Sequence, residues 1–350
     1  MFIGTCGFGS SGSSAVSDYL KEFNENCVLD RIEFTIPFCV DGLTDLDYHV
    51  HQSTYRSEDS IVAIERFKKL ISRQCNYLTK RTKITKKELL EETDIFLNRI
   101  IQAKWLGYSG HEGGILEYQI GGRIFYARIR PFLERRIGIK YKWYPLRTVS
   151  LSIMPEGFDA AARDFLRFIL KKMGADYSKN IVLDQPFSGN NPQACFKYYD
   201  DPRAIVVDRD PRDIYIFAKT ILKGRYTFMP ADDVESFIQY YRRLRDNQPY
   251  KDPDKNILII QFEDMVYDYW NTTEKIRKWL CLPENKNQKS VFDPALSIAN
   301  TQTFKRFPQF ADEVKKIEDS LSEYLYDFSR FPTPDLSGEM FFGKSPKNKL

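Results

Sequence analysis

Phe2-Ile3-Gly4-Thr5-Cys6-Gly7-Phe8-Gly9-Ser10-Ser11-Gly12-Ser13-Ser14-Ala15-Val16-Ser17-Asp18-Tyr19-Leu20 runs from a short apolar strand through a glycine- and serine-rich loop into the first turns of a helix. Gly7, Gly9 and Gly12 permit backbone conformations at positive φ and let a ligand come close to the main chain. At Ser13 and Ser14 a helix begins, where unpaired N–H groups and the positive end of the helix dipole favour an anion. Gly7 to Ser14 fits G-x-x-x-x-G-x-[ST], with Ser13 where a nucleotide-hydrolysing phosphate loop carries Lys.

The rest of the chain bounds what such a loop can serve. With 350 residues and 42% hydrophobic content, one domain with insertions or two smaller domains can be built. Lys and Arg number 52 against 48 Asp and Glu, a net +4, which is too even to indicate a nucleic-acid partner. No apolar run has the length of a membrane span, and the basic N-terminal segment of a signal peptide is not seen, so a cytoplasmic protein is expected. Cys6, Cys27, Cys39, Cys75, Cys195 and Cys281 form no C-x-x-C pair or metal-ligand spacing. They read as reduced, mostly buried thiols, and no metal is expected.

Along the chain, Cys27–Ile36 predicts a second strand. Residues from about 57 to 107 show helical spacing, interrupted by the basic run Lys80-Arg81-Thr82-Lys83-Ile84-Thr85-Lys86-Lys87. Residues 115–120 and 123–129 flank Gly121-Gly122 and predict a hairpin. A helix is expected from Pro155 to Met173, stopped by Gly174. Residues 181–184, 204–208 and 257–261 are continuous apolar runs, separated by helices expected around 214–223 and 232–245, with a further helix over 272–280. Such strands alternating with helices predict an α/β fold: a phosphate-loop-like parallel sheet with helices on both faces. The polar tail from Pro332 to Leu350 is expected to be loosely held.

Two further stretches bear on chemistry. In Ala204-Ile205-Val206-Val207-Asp208-Arg209-Asp210-Pro211-Arg212-Asp213 a buried strand ends in Arg209 and Pro211 opens a helix. Ligands of parallel sheets gather at the carboxyl ends of the strands, where Arg209 can hold a phosphate bidentately. The other is Ile259-Ile260-Gln261-Phe262-Glu263-Asp264-Met265, followed by a helix to Trp279-Leu280-Cys281-Leu282.

In order and spacing, these three stretches resemble the sulfotransferases that use 3′-phosphoadenosine 5′-phosphosulfate as donor, over roughly residues 2 to 282. That family pairs an N-terminal [RK]-S-G-[ST]-[ST] loop with a strand ending R-x-P-[RK]-D and a later [YF]-E-D-L. Here these look like Ser10-Ser11-Gly12-Ser13-Ser14, Arg209-Asp210-Pro211-Arg212-Asp213 and Phe262-Glu263-Asp264-Met265. The resemblance implies the sulfotransferase fold, as a single domain over residues 1–331 with a large helical and hairpin insertion at about 45–175 on the acceptor side. It also implies transfer of a sulfuryl group to an acceptor hydroxyl, on a glycan or on a hydrophobic alcohol such as a sterol.

By the same resemblance Gly7, Phe8, Gly9, Ser10, Ser11, Gly12, Ser13 and Ser14 would receive the 5′-phosphosulfate and Arg209 the 3′-phosphate. Lys305 and Arg306 fall where related enzymes fold a basic loop over that phosphate. The chain departs from the pattern at Ser10, where the family has Arg or Lys, and at Phe217, where it has a phosphate-binding Ser. The missing charge is left to backbone N–H groups, serine hydroxyls or a cation from elsewhere; the candidates are Lys219, Lys223, Arg225, Lys305 and Arg306. Glu33 is placed like the general base of some bacterial members, with His49, His51, His111 and Asp184 as rivals. Two other readings stay open: a phosphate-loop kinase, disfavoured by Ser13 in place of Lys, and a non-catalytic nucleotide-binding relative.

Overall fold

The structure, a computed structural model, describes residues 1–107, 130–138, 147–222, 228–249 and 255–335. It divides into two compact units: residues 1–35 with 175–350, and residues 36–174.

The first unit is α/β. Its sheet has five strands in the order β2-β5-β1-β6-β7, where β1 is Phe2–Gly7, β2 Asn26–Glu33, β5 Asn180–Asp184, β6 Pro202–Asp208 and β7 Ile257–Gln261. Every pairing is parallel, so all five strands end at one carboxyl edge. The runs that form β5, β6 and β7 are apolar at nearly every position because both faces of the sheet are covered. Ile3, Val182, Ile205, Val207, Leu258 and Ile260 share one face and pack with α1 (Ser14–Leu20), α9 (Phe262–Tyr267) and α10 (Tyr269–Trp279). On the opposite face the Phe187 ring lies so close to Gly4 that a Cβ there would sit 2.4 Å from it. A separate cluster around Tyr215, Phe237, Tyr241 and Ile317 joins α7 (Pro211–Thr220), α8 (Val234–Asp246) and α12 (Ala311–Ser320).

The second unit contains α2 (Leu43–His51), α3 (Ser57–Arg81), α4 (Lys86–Ile100) and α6 (Phe158–Met173), with α5 (Arg130–Ile137) and an antiparallel pair, β3 (Ala103–Gly107) and β4 (Arg147–Leu151). Its centre is aromatic: the rings of Phe67, Phe96 and Phe165 meet at centroid separations of 5.3–5.8 Å. Thr85 and Glu88 form a reciprocal cap at the start of α4. Gly174, at φ +102°, ends α6 in the left-handed conformation that favours glycine.

The helical pattern read through to Gly107 is corrected. The helix ends at Ile100, Ile101 is extended, and residues 103–107 pair with 147–151. That partner is distant in sequence, so local spacing carried no sign of it. The hairpin expected at 115–129 lies outside the described residues, as does the tail beyond residue 335. Among the described residues no helix is long and apolar enough to cross a membrane.

Candidate functional site

The loop after β1 is shaped by three left-handed residues: Gly9 at φ +84°, Ser10 at +55° and Gly12 at +87°. Its glycines are required by what surrounds them. A Cβ on Gly12 would meet the Phe262 ring at 2.4 Å, and one on Gly7 would meet Ser11 Oγ at 2.0 Å and the Val207 carbonyl at 2.7 Å. Ser11 Oγ accepts from the Phe8 N–H (3.3 Å), which folds the loop back on itself. Ser13 Oγ accepts from Gln185 Nε2 (2.9 Å), tying the start of α1 to the residue that follows β5.

Arg209 is brought to this loop by β6, the neighbour of β1. Arg209 is 6% exposed as a residue, and its guanidinium donates through Nη1 to the Ser10 carbonyl (3.1 Å) and through Nη2 to the Asn300 carbonyl (2.5 Å). The Phe262 and Phe217 rings lie 5.1 and 6.0 Å from it. Phe217 thus stands beside the cation as an aromatic wall. Arg209 Nε, also buried, has no hydrogen-bond partner. An unpaired buried donor of this kind is uncommon and suits an incoming anion.

The other charged residues of the motif hold the framework. Asp210 caps α7 by accepting from the Arg212 N–H, and it pairs with the Arg212 guanidinium, which also donates to Glu318 (2.9 Å). Asp213 is buried and accepts from the Gln302 N–H (2.8 Å), Thr303 Oγ1 (2.7 Å) and the Phe304 N–H (3.2 Å). One carboxylate therefore fastens the 302–304 segment beside the Arg209 strand end. Burial raises the pKa of Asp213, with the Arg209 charge working in the opposite direction. Burial also raises that of Glu263, which accepts from the Asp210 N–H (3.0 Å).

Within the fastened segment, Lys305 donates to Gln302 Oε1 (2.6 Å) and Thr333 Oγ1 (3.0 Å), and Arg306 to the Ala299 carbonyl (2.9 Å). Lys219, a candidate for the charge missing at Ser10, is instead held by Glu313 (2.6 Å) and Tyr215 OH (3.0 Å) in the α7–α12 cluster. Lys223 and Arg225 lie outside the described residues, as does His111.

At the same edge, β5 sets Asp184 between Thr5 of β1 and Glu33 of β2. An irregularity between Leu29 and Glu33 brings Glu33 level with Asp184, and the Phe34 N–H donates to the Asp184 carbonyl (2.8 Å). Glu33 is exposed, whereas Asp184 is largely covered. Its carboxyl is pushed up to about 7, first by burial, then by the negative charges of Glu33 and Asp30. The rival histidines belong to the second unit: His51 pairs with Asp47 (2.7 Å), and His49 lies 3.9 Å from Asp45.

Sequence reading missed Gln185 and Arg245. Arg245, on α8, pairs with Asp208 and lies against the rings of Phe8 (4.2 Å) and Tyr241 (3.3 Å), so it contacts the loop through Phe8. An Arg among helix-face charges carries no local mark of such a partner.

Compared with models of known protein families and with curated proteins, the chain matches none of them.

Proposed function

We propose that the first unit adopts a sulfotransferase fold and moves a sulfuryl group from 3′-phosphoadenosine 5′-phosphosulfate to an acceptor hydroxyl. The observation that carries this reading is Arg209: a buried guanidinium with an unpaired Nε–H, beside a loop built from left-handed residues. The loop N–H groups from Gly7 to Ser14 would hold the 5′-phosphosulfate, and Arg209 the 3′-phosphate, with Lys305 and Arg306 carried nearby on the segment fastened by Asp213. With Ser10 in place of a cation, charge building on the transferring group would fall to backbone and hydroxyl donors.

In the reaction the acceptor oxygen bonds to sulfur, the bond from sulfur to the 5′-phosphate oxygen breaks, and the acceptor proton goes to a carboxylate. The products are a sulfate ester and 3′-phosphoadenosine 5′-phosphate. Asp184 is the better matched proton acceptor, since a base works best when its pKa is near the working pH and its own is about 7. Glu33, beside it in the sheet, would keep that pKa up through its charge. No step calls on a metal.

The test is turnover with the phosphosulfate donor and a mixed set of oligosaccharides and sterols, with products followed by mass. Appearance of a sulfated acceptor together with 3′-phosphoadenosine 5′-phosphate supports the reading. Tight nucleotide binding with no transfer to any acceptor would leave a non-catalytic nucleotide-binding relative.

A further inference from the structure

A cleft of about 370 Å³ opens between the last turn of α1, α10 and the loop around residues 284–288. Its size falls among small-molecule sites, which run roughly 300–1,000 Å³. It is separate from the carboxyl-edge site. The helix α1 starts at the Gly7–Ser14 loop and has seven residues, so Tyr19 in its last turn lies roughly 8 Å further along the axis at about 1.5 Å per residue.

The walls are aromatic. Tyr19 and Tyr269 are buried, but Trp270 is 56% exposed and meets the Tyr269 ring edge-on at 5.0 Å. The rim is held in place from beneath: buried Glu22 accepts from Asn285 Nδ2 (2.6 Å) and from the N–H groups of Val291 (3.1 Å) and Phe292 (3.2 Å). Arg277 is committed to Glu274 (2.7 and 2.8 Å) and the Leu282 carbonyl (2.9 Å). Two rim side chains, Lys286 and Gln288, make no hydrogen bond or ion pair among the described residues, and the charge of Glu284 acts on Arg277 without a direct hydrogen bond.

We propose that this cleft binds a neutral saccharide. The rim offers a carboxylate acceptor in Glu284, an ammonium donor in Lys286 and an amide in Gln288 that does both. A sugar hydroxyl also donates and accepts, so a polyol can satisfy all three, whereas a ligand of one charge meets the wrong sign at one of them. A cationic ligand is disfavoured at the rings as well, because the Lys289 ammonium already stands 5.0 Å from the Trp270 centroid and 5.3 Å from that of Tyr269. A ring has two faces, and the electron-rich face of Trp270 that Lys289 does not cover can stack on the C–H face of a pyranose. Because Glu22 anchors the loop through Asn285 and the Val291 and Phe292 N–H groups, binding has to order rim side chains but not the loop backbone. The proposal stands apart from the reading of the carboxyl edge.

The test is saturation-transfer NMR on the full chain with maltose, cellobiose and N,N′-diacetylchitobiose, and with tetramethylammonium as the cationic control. Saturable binding of at least one disaccharide in the millimolar range or tighter is expected. Trp270→Ala should weaken it by about tenfold or more and Gln288→Ala by severalfold, while affinity for 3′-phosphoadenosine 5′-phosphate is unchanged in both. Both side chains are exposed, so neither change should unfold the protein. Failure of all three disaccharides to bind, disaccharide binding indifferent to Trp270→Ala, or preferential binding of tetramethylammonium would each overturn the proposal.

Discussion

Burial and the Glu33 charge both raise the pKa of Asp184, which gives the two carboxylates distinct signatures. With its pKa raised to about 7 in the fold, Asp184 costs no stability below its ordinary value near 4. Its penalty grows as pH rises from there through about 7, because the unfolded chain ionises first. Asp184→Asn should therefore be more stable than the parent at about pH 8, by at most a few kcal/mol at roughly 1.4 kcal/mol per pKa unit, and no more stable at about pH 4. Denaturant midpoints at the two pH values check this, and a difference independent of pH contradicts it. In turnover, Asp184→Asn should lower kcat by about 10²-fold or more, as loss of a general base does. Glu33→Gln should instead keep substantial kcat and move the acidic limb of the pH–rate profile downward, because it removes a charge that holds the Asp184 pKa up. The opposite pattern, with Glu33→Gln inactive, would return the base to Glu33. Neither relation could be read locally. A parallel ladder pairs residues on either side of a long insertion, and only the register puts the two carboxylates side by side.

Among the elements, the loop after β1 and the strand end at Arg209 were legible because their signals are local: glycines between an apolar run and a helix, and an Arg closing a buried strand. The packing that fixes the loop was not. Gly12 is needed twice, for its φ of +87° and for the 2.4 Å that a Cβ would leave to the Phe262 ring. Gly12→Ala should destabilise the fold by about 1–3 kcal/mol, the range for a residue held in a sparsely populated conformation, and weaken nucleotide binding at the same time. Thermal melts and titration of the same sample check both. Arg209→Ala should weaken the nucleotide by roughly 2–4 kcal/mol if the guanidinium meets a phosphate in a buried site. Part of that loss would come through the loop, since the same guanidinium holds the Ser10 and Asn300 carbonyls. A folded Arg209→Ala protein of unchanged affinity would contradict the assignment.

At the scale of the molecule, composition and the buried strands pointed to a parallel α/β sheet. They did not carry the strand order, which depends on contacts far apart in sequence. The division into two units gives its own expectation. Phe96 is buried among aromatic rings of the second unit, so Phe96→Ala should cost about 3–5 kcal/mol of that unit's stability and leave affinity for 3′-phosphoadenosine 5′-phosphate unchanged. Parallel melting and titration of the variant check it. The central claim concerns the first unit and its donor, and calorimetric titration tests it most directly: 3′-phosphoadenosine 5′-phosphate against ATP, each with and without magnesium. The account predicts at least about tenfold tighter binding of the 3′-phosphorylated nucleotide, about 1.4 kcal/mol, with no magnesium requirement. Equal affinities, or binding only with magnesium, would contradict it.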